Sequence, residues 1–270
     1  MTLQELHSQV ELLPEVAEVR EKVLEVTGKD LDLRPWGRTD VTASTKIARQ
    51  RMSEHIIYYR RDLRSTLSHA IAHECGHILR MFAAAEDDRL VPASDGATMR
   101  VAREAVASAL QSMPVGLQAE ILPMWVTGLV TQLTSLPADI HIETWLHSSY
   151  EGLRGPQREA LATQGKQNLS ALATKVLQMT PWVLFRAANA MNLAFATAME
   201  PMSGTSYRRK YSGYPEIRKL GEQLLSLVGA DVGYRGDIET AQRWAACLGV
   251  SSWFKWVSFE DMPESYYAIA

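Results

Sequence analysis

Apolar residues recur every three or four positions over most of the chain, which is the spacing of one face of an α-helix. This pattern predicts one or two helices at 3–27 and further helices at 63–85, 98–112, 115–133, 140–150, 157–178, 182–199, 215–228 and 237–248. Gly28 is expected to end the first of these segments, because glycine favours the left-handed conformation that commonly follows a helix.

Two stretches before the 63–85 helix have the composition of strands. Residues 31–33 alternate apolar side chains with aspartate and predict a short edge strand. Residues 55–60 are rich in β-branched and aromatic side chains and predict a more regular strand. The expected fold is therefore mainly α (α+β), with a small sheet beside the 63–85 helix and a helical C-terminal region.

The 63–85 helix carries the sequence His73-Glu74-Cys75-Gly76-His77, which has the form H-E-x-x-H. Histidines four positions apart lie one turn apart on one helix face, so both imidazoles can bind the same metal ion. Glu74 can take a proton from water without binding the metal itself. Cys75 lies about 200° around the helix from His73, so we expect it to pack as a small buried residue. The alternative is a chance match on a surface helix, since short motifs carry that risk.

The strand at 55–60 followed by this helix resembles the zincin metallopeptidases, in particular compact gluzincins that include ImmA/IrrE-like and minimal forms. The resemblance covers residues 54–82. It extends to residue 155 if the segment that supplies a third metal ligand is counted. It implies a Zn²⁺ cofactor, hydrolysis of a peptide or protein substrate, and a sheet whose edge strand pairs with an extended substrate. It also implies a metallopeptidase core at 1–155 with the helical region 156–270 packed on it. Likeness to ImmA/IrrE-like proteins further implies limited cleavage of a regulatory protein.

The resemblance requires a third metal ligand, and two helical glutamates compete for that role. Glu104 follows the motif at the more usual spacing, but it shares a helix face with Arg100, opposite the apolar stripe. Glu143 shares an apolar stripe with Ile140, and a buried carboxylate needs a partner or a metal. We therefore predict Glu143 as the third ligand, with Glu104 and His147 left open as alternatives.

The predicted metal-binding set is thus His73, His77 and Glu143. Asp139 lies one turn before Glu143 and His147 one turn after it. Both are suitable for hydrogen bonds that orient the metal-binding histidines or the substrate.

Peptide hydrolysis also requires a group that stabilises the oxyanion. The sequence leaves several candidates open, namely His141, His147, Tyr150 and the tyrosines within 207–214. His69 lies one turn before His73 and is expected to be an ordinary polar helix residue, with a role in orienting the site as the alternative.

Composition narrows the class of protein. The net charge is −3, which gives no general bias towards nucleic acid or membrane surfaces. The two cysteines form no C-x-x-C pair, which argues against a cysteine zinc site. One of them lies inside the metal motif, which argues against a structural disulfide. The N-terminus lacks the basic start and apolar core of a secretory signal, and the apolar run 182–199 is interrupted by Arg186 and Asn189. A cytoplasmic protein is the default expectation.

A second function class stays open at this stage. The chain can instead be a regulatory or interaction protein with a vestigial or structural zinc site, its helical C-terminal region binding a regulatory protein partner. Glu74 favours the enzyme, because a purely structural metal site has no use for that carboxylate.

Overall fold

The computed structural model describes residues 12–37, 41–49 and 51–262, and the predicted helical segment at 3–11 lies outside this range. The described α-helices are α1 (Pro14–Thr27), α2 (Leu67–Ala83), α3 (Gly96–Ala105), α4 (Ala107–Gln111), α5 (Val115–Ser149), α6 (Arg154–Ser170), α7 (Thr174–Met179), α8 (Trp182–Ala198), α9 (Glu200–Ser203), α10 (Pro215–Ser226) and α11 (Tyr234–Leu248). The strands are β1 (Asp30–Trp36), β2 (Ala43–Lys46), β3 (Glu54–Arg60), β4 (Leu90–Ala93) and β5 (Lys255–Ser258). The predicted fold class, mainly α with small sheets, is confirmed.

The three-stranded sheet lies beside α2 and has the strand order β1-β3-β2. Strand β3 is central, parallel to β1 and antiparallel to β2, and it buries Ile57 and Tyr59 in the core. The strands predicted at 31–33 and 55–60 are confirmed, whereas the polar β2 was not predicted. Because β2 pairs with one strand only in the part of the chain that the structure describes, it forms an open edge of this sheet there.

Helix α5 runs unbroken from Val115 to Ser149, where the sequence pattern predicted two helices separated near Pro137. A proline inside a helix removes one hydrogen bond and usually ends or bends the helix. Here Leu133, Leu136 and Ala138 around it are buried, so tertiary packing holds the helix together across the proline. The segment predicted as one helix at 98–112 is interrupted at Val106, whose φ of −115° is not helical.

The buried side chains form two main cores, and α5 contributes to both. The smaller core joins α1, the sheet, α2 and the last turns of α5, including Ile142 and Leu146. The larger core joins α3, α4 and the part of α5 from Leu122 to Ile140 to the region from Leu161 to Phe254. The cores therefore divide the chain within α5, whereas the division into 1–155 and 156–270 stays a prediction.

Helix α8 is buried in the larger core, as expected for the apolar run at 182–199. Phe185, Asn189 and Leu193 are all shielded from solvent, and Asn189 donates a hydrogen bond to the Phe185 carbonyl. Nowhere in the described ranges does a helix combine the length and apolar character needed to cross a membrane.

The polar segment 201–215 is docked on the body of the protein. Tyr207 and Tyr211 are buried, and the Tyr207 hydroxyl donates a hydrogen bond to the Ala162 carbonyl of α6. A Cβ atom at Gly165 would lie only 2.3 Å from the Tyr207 ring, so glycine is required where this ring packs on α6. Helix α6 is thereby held in place as one wall of the cleft described below.

Candidate metal centre

Helix α2 presents its histidines on the face turned away from the smaller core. Leu67, Ile71, Cys75 and Ile78 are buried on the opposite side, in the pattern expected of an amphipathic helix. The predicted packing of Cys75 is confirmed, and burial raises the pKa of its thiol above the usual value. The motif histidines are thereby directed towards α5.

Gly76 allows α2 and α5 to approach closely at the motif. A Cβ atom at this position would lie 2.6 Å from Cγ2 of Ile142, closer than atoms can pack. Ile142 lies between Asp139 and Glu143 in α5, so the absence of a side chain at Gly76 brings both carboxylates within reach of the histidines.

Asp139 faces both histidines of the motif. Its Oδ1 atom lies 3.0 Å from Nε2 of His77 and 3.4 Å from Nε2 of His73. This oxygen is buried, and among the described residues it has these two ion-pair contacts but no hydrogen bond of normal geometry. Ligands of a tetrahedral zinc ion with bonds of about 2.0–2.1 Å lie about 3.3 Å apart, which matches both distances. Two imidazoles and one carboxylate therefore fit a zinc ion at this position.

Glu143 lies on the other side of the His73 ring. Its Oε1 atom is 2.8 Å from Nδ1 of His73, and its Oε2 atom is 2.9 Å from Nε2 of His69. A carboxylate can only accept these hydrogen bonds, so the proton of His73 is on Nδ1. A metal ion would bind Nε2 of His73, on the side that Asp139 occupies, in place of the proton that the metal-free ring carries there.

The structure therefore differs from the predicted set of His73, His77 and Glu143. Within the described residues, the metal-compatible group that holds both motif histidines contains Asp139, whereas Glu143 groups with His69 and His73. Both carboxylates lie on the face of α5 that is turned towards α2. Asp139, on the earlier turn, lies near Nε2 of His73, and Glu143, on the next turn, lies near Nδ1 of the same ring. The metal role of Glu143 stays a prediction, and the geometry favours Asp139.

The electrostatics describe a cluster whose two buried carboxylates require positive charge. Burial opposes ionisation of Asp139, but His73 and His77 outweigh it and lower the pKa of that carboxyl. Burial likewise opposes ionisation of Glu143, but His69 and His73 lower its pKa well below the usual range. The pKa of His73 is raised despite its burial, because both carboxylates favour the protonated ring. Protons on the histidine rings therefore balance the negative charge of the two carboxylates. A divalent cation bound between the same residues would balance it in their place.

Glu74 is held by a strand residue that the sequence analysis did not identify. Thr45 of β2 donates a hydrogen bond of 2.6 Å from its hydroxyl to Oε2 of Glu74. Because a carboxylate has two oxygens, Oε1 remains available for another partner. The Glu74 carboxylate is thus oriented by the edge strand of the sheet.

A cleft of about 560 Å³ opens over these residues. His69, His73, Glu74, Asp139 and Glu143 lie along it. One wall comes from residues 41–43 and 60–66, and the facing wall comes from α6, where residues 159–168 contribute mostly polar side chains. The motif is therefore open to the cleft between the edge strand and α6.

The other candidates from the sequence lie outside this cleft. Glu104 is exposed on α3, as expected for a solvated charge. His147 contacts Gln157, the Tyr150 hydroxyl accepts a hydrogen bond from Lys22, and none of these side chains lines the cleft. The tyrosines of 207–214 and His141 are also not among the described cleft-lining residues. The oxyanion role stays unassigned to any of them.

Two residues of the site carried no signal in the sequence. Thr45 lies in a short polar strand and Gln157 at the start of a helix, and neither belongs to a motif. Asp139 did carry a signal, namely its position one turn before Glu143, but the pattern could not assign the two roles. His69 was expected to be an ordinary polar residue, yet it is buried against Glu143.

No protein-family model, curated protein or solved structure matches this chain.

Proposed function

We propose that this chain is a zinc-dependent metallopeptidase whose metal is held by His73, His77 and Asp139. One observation carries the proposal, namely the buried Oδ1 of Asp139 that has no hydrogen bond and faces Nε2 of both motif histidines. A buried carboxylate oxygen in this position is costly unless a cation or donor compensates it.

The donor set favours zinc over other common metals. Two imidazoles with one carboxylate are typical of catalytic zinc, whereas magnesium and calcium prefer sites made mainly of oxygen. When bound, zinc supplies a Lewis acid that polarises a peptide carbonyl and makes water more acidic. Among the described residues this group has three members, which is typical of catalytic rather than structural zinc sites.

Glu74 is proposed as the general base and acid. It lies on the cleft, next to His73 in the motif, and its Oε2 atom is fixed by the Thr45 hydroxyl. Its carboxylate takes a proton from the attacking water and delivers it to the amine nitrogen that leaves. Thr45 orients the carboxylate without taking part in the proton transfer.

The edge strand β2 supports an extended peptide as the substrate. Its partner β3 occupies one side, and Thr42 and Ala43 at the start of β2 line the cleft. A peptide added along an open edge is held by main-chain hydrogen bonds, which depend little on sequence. The facing wall on α6 offers Thr163, Gln164 and Asn168, whose amide and hydroxyl groups can bind a main chain.

The alternative function is a regulatory or interaction protein in which zinc is structural. The open cleft beside Glu74 favours the enzyme, because a structural site is normally closed by a fourth protein ligand.

One experiment separates these functions. Zinc content and cleavage of an unstructured peptide library are measured for the wild type, for Glu74→Gln and for Glu104→Gln as an exposed control. We expect stoichiometric zinc in all three proteins, with cleavage by Glu74→Gln reduced by about 10²–10⁴-fold and cleavage by Glu104→Gln unchanged. Zinc binding without any cleavage that depends on Glu74 would establish the structural alternative instead.

A further inference from the structure

We propose that Gln157 is a positioning residue of the metal centre, acting through Glu143 on the imidazole of His73. The inference rests on the metal site proposed above. It adds an orienting group that lies outside the motif helix and outside α5, at the start of α6.

Gln157 makes two hydrogen bonds to Glu143. Its Nε2 atom donates to Oε2 of Glu143 at 2.6 Å and to the Glu143 carbonyl oxygen at 2.8 Å. Gln157 is 1% exposed and Glu143 is 2% exposed, so water does not compete with these bonds. Hydrogen bonds to a buried charged group are among the stronger ones in proteins.

The carboxylate of Glu143 is fixed by three different side chains. His73 donates to Oε1, while His69 and Gln157 both donate to Oε2. The terminal torsion of glutamate has broad energy wells, so a carboxylate with fewer partners would rotate easily. Gln157 therefore limits the rotation that would otherwise move Oε1 away from Nδ1 of His73.

The orientation of Gln157 is itself determined by its surroundings. Its amide nitrogen must face Glu143, because a carboxylate only accepts, and its Oε1 atom then faces Nδ1 of His147 at 2.9 Å. His147 must therefore donate from Nδ1. Arg154 in turn donates a hydrogen bond to the His147 carbonyl oxygen, which joins the first turn of α6 to the end of α5.

This arrangement assigns a role to His147 that differs from metal binding. His147 orients Gln157, Gln157 orients Glu143, and Glu143 orients His73. Because α6 also forms a wall of the cleft, the same helix supplies both substrate contacts and part of the support for the metal ligand.

The test measures zinc affinity by competition with a chromophoric chelator, together with the visible spectrum of the Co²⁺-substituted protein. Gln157→Met keeps the side-chain volume but removes both hydrogen bonds to Glu143. We expect zinc affinity to fall by about 10–100-fold and the Co²⁺ bands to shift, because loss of such an orienting partner has effects of this size. Gln111→Met, a control at an exposed site at the end of α4, should match the wild type in both measurements.

A double-mutant cycle distinguishes positioning from general stability. In the Glu143→Gln background, Gln157→Met should cause less than a threefold further loss of zinc affinity, because the two residues act as one unit. Additive losses would overturn the inference, as would a Gln157→Met affinity within twofold of the wild type.

A second variant covers the case in which Gln157→Met does not fold. His147→Phe removes the group that orients Gln157 and should lower zinc affinity by several-fold with a smaller Co²⁺ shift. An unchanged affinity and spectrum in His147→Phe would then contradict the proposal. Failure of the proposed function is recognised separately, because the wild type would then bind no zinc, or would bind zinc without any cleavage that depends on Glu74.

Discussion

Nδ1 of His73 lies 2.8 Å from Oε1 of Glu143, which places this carboxylate behind the imidazole ring as seen from Asp139. Asp139 and Glu143 of α5 therefore have different tasks although they are only one helical turn apart. Asp139 faces Nε2 of His73, the nitrogen that can bind a metal, whereas Glu143 accepts the hydrogen bond from Nδ1 of the same ring.

The first prediction follows from this division of roles. Asp139→Ala should weaken zinc binding more than Glu143→Gln, because it removes a ligand rather than the partner of a ligand. Glu143→Gln should lose about 10–100-fold in affinity, and Glu104→Ala should bind like the wild type. Chelator competition measures all three. Stronger weakening in Glu143→Gln than in Asp139→Ala would return the ligand role to Glu143.

Thr45 provides a prediction that concerns turnover and leaves metal binding unchanged. Its hydroxyl donates to Oε2 of Glu74 at 2.6 Å, so Thr45→Val removes a hydrogen bond to a charged group while keeping the shape. Such bonds contribute about 1.5–3 kcal/mol, so kcat should fall by about tenfold or more with zinc content unchanged. Thr45→Ser should restore most of the rate. Equal kcat values for Thr45→Val and wild type would mean that another group orients Glu74.

Gly76 should be intolerant of even one added methyl group. Alanine normally stabilises a helix interior by about 1 kcal/mol relative to glycine. Here its Cβ would lie 2.6 Å from Cγ2 of Ile142, so we expect Gly76→Ala to lower the free energy of unfolding by about 1–3 kcal/mol. Urea denaturation measures this change.

The matched test of that contact is a second substitution at Ile142. Ile142→Ala removes the atoms that the added methyl group would meet, and it is destabilising on its own because it leaves a cavity. In that background, Gly76→Ala should no longer destabilise the protein and should be neutral or favourable. If Gly76→Ala still lowered the free energy of unfolding in the Ile142→Ala background, the contact with Ile142 would not be the cause of the destabilisation.

His55 should make stability depend on pH without involving the metal centre. The ring is fully buried, its Nδ1 accepts a hydrogen bond from the Ala48 N–H group, and Nε2 lies 3.1 Å from the Thr27 hydroxyl. Burial lowers the pKa of His55 to about 4, below the value of about 6.5 in an unfolded chain. Between these values the unfolded chain binds the proton and the folded chain does not, so stability is complete above about pH 6.5 and falls as the pH approaches 4.

The loss between pH 6.5 and pH 4 should be up to about 3 kcal/mol. It is measured by urea denaturation in the presence of a chelator, as the difference between wild type and His55→Asn. Asparagine can accept the hydrogen bond from Ala48 but has no proton to gain in this range. Parallel pH profiles for the two proteins would show that His55 is not the responsible group.

Arg80 links the motif helix to the C-terminal region, and breaking this link should be costly. The guanidinium contacts both oxygens of Asp237 at 2.6 and 2.7 Å and both oxygens of Asp231 at 2.9 Å. Hydrogen bonding to Arg80 lowers the pKa of Asp231 to about 2. The Asp237 side chain is only 4% exposed, so Arg80→Leu leaves an unpaired buried carboxylate and should destabilise the protein by about 3–5 kcal/mol.

An exposed ion pair in α11, the helix that carries Asp237, supplies the control. Arg235 lies 3.2 Å from Glu239 with both side chains mostly in solvent, so Arg235→Leu should change the unfolding free energy by less than about 1 kcal/mol. Thermal or urea unfolding compares the two variants. Equal effects would mean that burial of Asp237 does not determine the strength of its pair with Arg80.

The periodic elements were the most predictable part of the fold. The stop of α1 at Gly28, the strand at 55–60 and the motif helix all follow from local residue pattern, and the structure confirms each of them. Local pattern failed at Pro137, because the sequence cannot show that neighbouring helices hold α5 together there. It also missed β2, whose polar residues form a strand only because β3 offers hydrogen bonds beside them.

The site was predictable only where its residues are neighbours in sequence. His73, Glu74 and His77 are positioned by the helix itself, whereas the acidic partners depend on how α2 and α5 cross. A helical stripe predicts that Asp139 and Glu143 share a face, but it cannot determine which of them meets Nε2 of His73. That choice is made by the close approach at Gly76, which is a tertiary property.

The position of Asp139 in α5 has a consequence for the order in which the protein is made. During synthesis the motif helix leaves the ribosome well before α5, and Gln157 follows later still. A nascent chain that already carries both motif histidines therefore lacks the proposed third ligand and the groups that orient His73. The proposed peptidase would therefore stay inactive until the end of α5 and the start of α6 have been translated and folded.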